Sequence, residues 1–225
     1  GYRLPRETEW EYACRAGTQG IRYGNLDEIC WHRENSPGRT QPVGKKTPNA
    51  FLLYDMLGNM TEWCQDWLHE GYSEFSWKPL HTRCAIRGGS VASSTQFVHS
   101  ASRHGLGLNA ADITTGFRVA RSILDEDGIE FNEAAPLFGA PILVPEILSN
   151  GKKLQVDNEP HIRSIEEAMD CQWGAAVKLL LPVECENKLG MKFRFIPPGE
   201  FLMGGPSSEE ELAPTEQSAH TIAIP

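Results

Sequence analysis

Between Gly17 and Ala50 the chain runs 34 residues without a sustained helical or alternating apolar pattern. Ser36-Pro-Gly38, Pro42-Val-Gly44 and Thr47-Pro-Asn49 each mark a turn there, because proline fixes φ and glycine opens the left-handed region. A stretch of this length argues against a plain sandwich or βαβ unit, unless aromatic packing, a metal ion or both organise it. The same texture resumes between Trp67 and Leu80.

Regular elements flank these stretches. Residues 6–16 predict a short amphipathic helix, with Pro5 ahead and Gly17 behind. Trp10, Ala13, Cys14 and Tyr12 form its apolar side, while Glu7, Glu9, Glu11 and Arg15 are left for solvent or partners. Arg83–Ser90 reads as a strand entering a glycine pair, and Gly116–Arg121 as another short strand. After Ser122 the chain turns acidic and proline-bearing, which places a boundary near 122. A second helix is expected over 162–180, with Ile165, Met169, Trp173 and Val177 as its apolar stripe. Lys192–Pro197 alternates, and Pro198-Gly199 turns into Glu200–Gly204 as a small hairpin. The expected class is α+β and loop-dominated.

Charge and hydropathy narrow the function. A formal charge of -9, from 21 basic and 30 acidic residues, repels phosphate backbones, and no basic run offsets it locally, so nucleic acid is not an expected partner. No apolar run is long enough for a membrane span. The opening Gly1-Tyr-Arg-Leu-Pro5 shows no signal peptide and suggests a missing N-terminus, so the compartment is unreadable. The six cysteines are scattered without a CxxC, which encodes neither a zinc knuckle nor a local redox pair.

Tyr54–Trp67 concentrates chemistry: Asp55, the Gly58-Asn59 step and Glu62 lie within eight residues, ringed by Tyr54, Trp63 and Trp67. Two readings of the residues stand. Asp55 caps a turn and Glu62 is a solvated neighbour of Trp63, or the two carboxylates converge on a cation. The aromatics are expected to pack as core over this loop.

Taken together, Arg3-Leu-Pro5, Glu9–Gly17, Pro42-Val-Gly44, Pro48–Trp67, Arg87-Gly-Gly-Ser90, Ser102-Arg103 and Gly116-Phe-Arg118 resemble the C-terminal half of a formylglycine-generating enzyme domain, of the sulfatase-modifying-factor family. The resemblance implies a C-type-lectin-like α+β fold poor in regular structure. Leu189–Gly204, with Glu216 and His220, resembles the beginning of a domain of the same family. The expected organisation is the back of one domain over 1–122, a linker with one helix over 123–188, and the front of a second copy over 189–225. Further copies are expected in the full-length chain. A permuted single domain is the alternative. As the front of another copy, 189–225 would lack the strands that bury Phe193, Phe195 and Phe201.

The resemblance also implies a structural calcium ion, held by the Asp55 and Glu62 side chains and the Gly58 and Met60 carbonyls. Mixed carboxylate and carbonyl oxygens suit this hard cation. A second family calcium site, in the region of Glu34 and Asn35, stays open. Catalytic members hold copper(I) with two cysteines beyond the Gly-Gly-Ser; here those positions fall at Ser93 and Val98. A hydroxyl and an isopropyl group cannot replace soft thiolates, so copper is not expected. Ser93, His99, Arg103, His104 and Arg118 are then candidates for lining a cleft, with Arg103 and Arg118 also suited to structural ion pairs. The implied function is a non-catalytic scaffold, a pseudoenzyme binding a peptide, protein or small ligand. The alternative is a copper-dependent oxidase acting on protein cysteine, with its catalytic copy outside these residues.

Overall fold

A computed structural model describes residues 2–36, 38–68, 83–121, 165–178, 183–187, 189–205 and 219–224. The predicted 123–164 part of the linker, residues 69–80 of the irregular stretch after Trp67, and Glu216 lie outside them.

The chain enters through β1 (Tyr2–Arg3) and turns at Pro5 into α1 (Glu7–Arg15). The Arg6 N–H donates to Glu9 at 2.7 Å and the Glu7 N–H to Asp66 at 2.6 Å, so carboxylates satisfy the first exposed amides of the helix. Ala16 at φ 43 and Gly17 at φ 85 end it in the left-handed region. As expected, 17–50 is irregular apart from a single turn, α2 (Leu26–Ile29), capped by the Asn25 side chain.

Four strands form a mixed sheet: β2 (Thr61–Trp67), β3 (Arg83–Arg87), β4 (Arg103–Gly107) and β5 (Thr115–Gly116), in the order β4-β3-β2-β5. β3 pairs antiparallel with both β4 and β2, whereas β5 joins β2 in parallel over two residues. β6 (Ala120–Arg121) pairs with β1 and so brings the two ends of the 2–121 segment together. The single strand expected over Gly116–Arg121 is thus two short ones, split by the exposed Phe117.

The second segment holds α3 (Ile165–Lys178), β7 (Glu184–Glu186), β8 (Lys192–Arg194), β9 (Gly199–Met203) and β10 (His220–Ile224). The predicted hairpin across Pro198-Gly199 does not form: β8 pairs back onto β7, and β9 pairs forward with β10. The expected helical stripe is also on the other side. Met169, Trp173 and Val177 are exposed, and Ala168, Gln172 and Ala176 face inward. Small residues allow close approach there, and Gln172 Nε2 donates to the Phe195 and Phe51 carbonyls at 2.7 and 3.3 Å.

Two apolar clusters share α1. Trp10 and Cys14 pack with Ile29, Met56, Leu57, Ala85 and Val98, while Tyr12 and Ala16 pack with Phe51, Phe201, Met203 and Ile224. Phe195 and Phe201 are therefore buried, and Phe193 stacks on Tyr2 at 5.5 Å, contrary to the unpartnered front segment expected. The 54–67 aromatics are not core either. Tyr54 is exposed and Trp63 and Trp67 are half-buried, because Met56, Leu57 and Trp10 fill the space beneath.

Gly58 sits at φ 71, and a Cβ there would run into the Trp31 carbonyl oxygen. Gly58→Ala is expected to cost about 1–3 kcal/mol from backbone strain alone, with the steric conflict added, measurable as a lower denaturation midpoint.

Candidate functional site

One transverse row of the sheet organises the chemistry. The strand register aligns Glu62 with Arg87, and Arg87 with Arg103, so three charged side chains from β2, β3 and β4 occupy one face. α1 lies on that face. Trp10 Nε1 donates to Glu62 at 2.7 Å, Arg87 donates to Glu11, and Arg103 grips Glu7 at 2.6 and 2.7 Å. Arg87 also donates to the Ala101 and Ser102 carbonyls, each at 2.8 Å, and its guanidinium lies 5.4 Å from the Trp10 ring centroid. The other oxygen of the Glu11 carboxylate, Oε1, accepts from Arg15 at 2.9 Å.

Of the helical carboxylates read as available to solvent or partners, Glu7 and Glu11 are thus partnered and buried, at 5% and 1% exposed, while Glu9 is half-buried and pairs with Arg3. Burial of Arg87 works against its charge, but Glu11 and Glu7 outweigh it and raise the guanidinium pKa. The sequence shows each residue but not the row, because strand register aligns groups far apart in the chain.

Arg118 extends the row beyond Glu62. It donates through Nε and Nη2 to the Glu62 carboxylate at 2.5 and 2.7 Å, and Glu62 raises its pKa against the opposing effect of burial. Glu62 is therefore a buried carboxylate held by an indole and a guanidinium, rather than a solvated neighbour of Trp63. Asp55, at φ 53, accepts from the Gly44 N–H at 2.7 Å through Oδ2; its Oδ1 is buried without a partner among the described residues. The expected turn cap is real, and one carboxylate oxygen is left over.

The residues expected to line a cleft separate into different settings. Ser93 Oγ accepts from the Ser90 N–H at 3.0 Å, while Val98 is fully buried in the core. His104 stands edge-on to Phe97 with ring centroids 6.2 Å apart, and the His99 carbonyl accepts from Ser102 N. Arg103 and Arg118 hold Glu7 and Glu62. Among the described residues no three His, Cys, Asp or Glu side chains are grouped to hold a metal ion. Glu34 and Asn35, from the second family site, instead serve His32. The Glu34 carboxylate meets Nδ1 at 2.7 Å, and Asn35 Oδ1 accepts from the His32 N–H at 2.8 Å.

All six cysteines are free thiols. Burial pushes Cys14 and Cys30 to about 12 and raises Cys64 and Cys84 as well, which disfavours the thiolate that nucleophilic or metal chemistry requires.

A family model described as the sulfatase-modifying factor enzyme 1-like domain matches residues 1–123, more than half of the chain. The chain belongs to this family. It is 36% identical over 132 residues to the serine/threonine-protein kinase pkn1 of Chlamydia pneumoniae, covering 55% of this chain and 21% of that protein. It is 38% identical over 89 residues to the formylglycine-generating enzyme of Streptomyces coelicolor, covering 32% and 28%. The solved structure of Treponema denticola variable protein 1 aligns with a TM-score of 0.49 at 33% identity, over 53% of this chain and 47% of that one. The matched chain thus spans less than half the length of each of these relatives. Within the sulfatase-modifying-factor family its α+β architecture and mixed sheet are those described above. No helix among the described residues is long and apolar enough to cross a membrane.

Two outcomes follow. Arg87→Met removes the guanidinium that Glu11 and Glu7 share, leaving Glu11 to Arg15 and Glu7 to Arg103, and a loss of about 3 kcal/mol is expected by denaturant titration. In thiol labelling of the native protein, Cys171 and Cys185 should react first, and Cys14, Cys30, Cys64 and Cys84 only on unfolding.

Proposed function

We propose that residues 1–122 are the back of a non-catalytic sulfatase-modifying-factor domain, a lectin-like scaffold that binds a peptide, protein or small ligand. In this reading 123–188 is a linker with one helix and 189–225 the front of a second copy. The observation that carries it is the pair Ser93 and Val98 at the positions the family resemblance gives to the copper thiolates. The hydroxyl closes a local turn, the isopropyl group belongs to the core, and the buried thiols elsewhere are held in the neutral form. Matching segments in proteins named as a kinase and as a formylglycine-generating enzyme support a module reused with different activities.

The two family-like segments favour one second reading, a formylglycine-generating oxidase whose catalytic copy lies outside these residues. Incubation with copper and oxygen distinguishes them when this chain and the full-length protein are compared, since the second reading expects aldehyde from the full-length protein alone. On a Cys-x-Pro-x-Arg peptide this chain should yield no aldehyde by mass spectrometry, and an aldehyde product would overturn the non-catalytic reading. Ser93, His99 and His104 are the proposed ligand-facing residues, whereas Arg103 and Arg118 are held in ion pairs with Glu7 and Glu62.

We further propose a structural calcium ion at the 55–62 loop. The orphaned Asp55 Oδ1 fits a cation, and the left-handed Asp55, Gly58 and Asn59 bend the backbone as a wrapped loop requires. Glu62 fits less well, because a calcium ion would share its carboxylate with Arg118. Asp55→Asn keeps an acceptor for Gly44 and removes the charge, so it is the discriminating variant. At calcium 100 times Kd the wild type should gain about 2.7 kcal/mol over chelator, and Asp55→Asn should gain little. A wild type insensitive to chelator would leave Asp55 as a turn cap and Arg118 as the only cation serving Glu62.

A further inference from the structure

The second segment docks on α1 in a manner that allows exchange. Phe201, Met203 and Ile224 of the β9–β10 hairpin close over Tyr12, Ala16 and Phe51, and the Tyr12 and Phe201 rings lie 5.4 Å apart. Where β9 ends, an ion pair reads both backbone groups of one residue. The Gly204 N–H donates to Glu11 Oε1 at 2.9 Å, and Arg15 Nη2 donates to the Gly204 carbonyl at 2.8 Å. Gly204 is at φ 107, a conformation that side chains disfavour, so the contact selects a glycine as well as a shape.

Among the described residues no strand ladder crosses between the segments. β9 and β10 pair only with each other, β7 pairs only with β8, and the four-stranded sheet is built wholly from residues 61–116. The hairpin is laid on the helix rather than woven into the sheet, so it can leave without breaking a β ladder. Residues 122–164 separate the two halves in sequence, and what holds them together at this face is non-covalent.

We propose that the α1–Phe51 face is an exchange interface that accepts the β9–β10 hairpin of a second copy of this chain in place of its own. The apolar contact supplies adhesion, the Glu11–Arg15 pair supplies register, and identical copies present identical complements. A chain holding several such domains could then interlock the front of one copy with the back of another, without any new contact being invented.

The test uses the full chain with a protease site introduced between residues 122 and 164, folded first and then nicked. The two pieces should co-elute as a one-to-one complex. When isotopically labelled and unlabelled nicked proteins are mixed, native mass spectrometry should show mixed pairs growing to the statistical distribution. Phe201→Ala lies on the released piece, so it cannot unfold the receiving half, and it should weaken the complex about a hundredfold. Pieces that separate on nicking, that stay together without ever scrambling, or that bind equally well with Phe201→Ala would each overturn the proposal.

Discussion

A buried arginine cannot stand alone in this fold. Arg87 is 1% exposed at the centre of the sheet, and a charge taken so far from water is tolerable only where partners surround it. Its partners come from α1, so the helix must lie across the sheet with Glu7 and Glu11 facing down. That placement fixes the rest. Trp10 is carried over β2, where its indole reaches Glu62, and Tyr12 is turned toward Phe51. α1 is short and buried except along Thr8, Glu9 and Ala13, which are half-buried. Its orientation is therefore set by ion pairs and indole geometry rather than by a single apolar stripe.

This explains what the sequence shows and what it conceals. The helix at 7–15, the strand at 83–87 and the irregular 17–50 stretch follow from caps, alternation and turn residues, which are local signals. The fate of Glu7, Glu11 and Arg15 does not, since a charged residue on a helix reads as solvated until a distant strand supplies its counter-ion. α3 misleads for the related reason that its inner face is Ala168, Gln172 and Ala176. Hydrophobicity points to the larger side chains outside, whereas close packing and the Gln172 hydrogen bonds select the smaller row. At Pro198-Gly199 the turn signal is local, but strand partnership is decided by β7 and β10, which lie on either side of the pair.

The 55–62 loop shows the same division between chemistry and placement. Its polarity is legible, and so is the need for something positive between buried carboxylates. Which cation serves each carboxylate is a tertiary matter. Arg118 reaches Glu62 because β5 pairs with the start of β2 and returns the chain past Tyr54. Among the described residues the Asp55 carboxylate receives only the Gly44 amide, so the two carboxylates that look equivalent in sequence have unequal remaining capacity. With Asp55 Oδ1 unpartnered among the described residues and Glu62 committed to Arg118, the proposed calcium ion would depend more on Asp55 than on Glu62.

Glu11 joins these constraints to the second segment. One oxygen accepts from Arg87; the other accepts from Arg15 and from the Gly204 amide. The hairpin therefore completes the coordination of a carboxylate whose first duty is to the sheet, and it covers Tyr12 and Phe51 in the same step. Were the hairpin to leave, Arg15 would lose the Gly204 carbonyl and the apolar cluster would open to water, yet Arg87 would keep Glu11, Ala101 and Ser102. The back half thus retains its internal charge balance while presenting a sticky and sterically defined face. That asymmetry, a self-satisfied ion core beneath an unsatisfied apolar surface, is what a receiving surface for a matching hairpin requires.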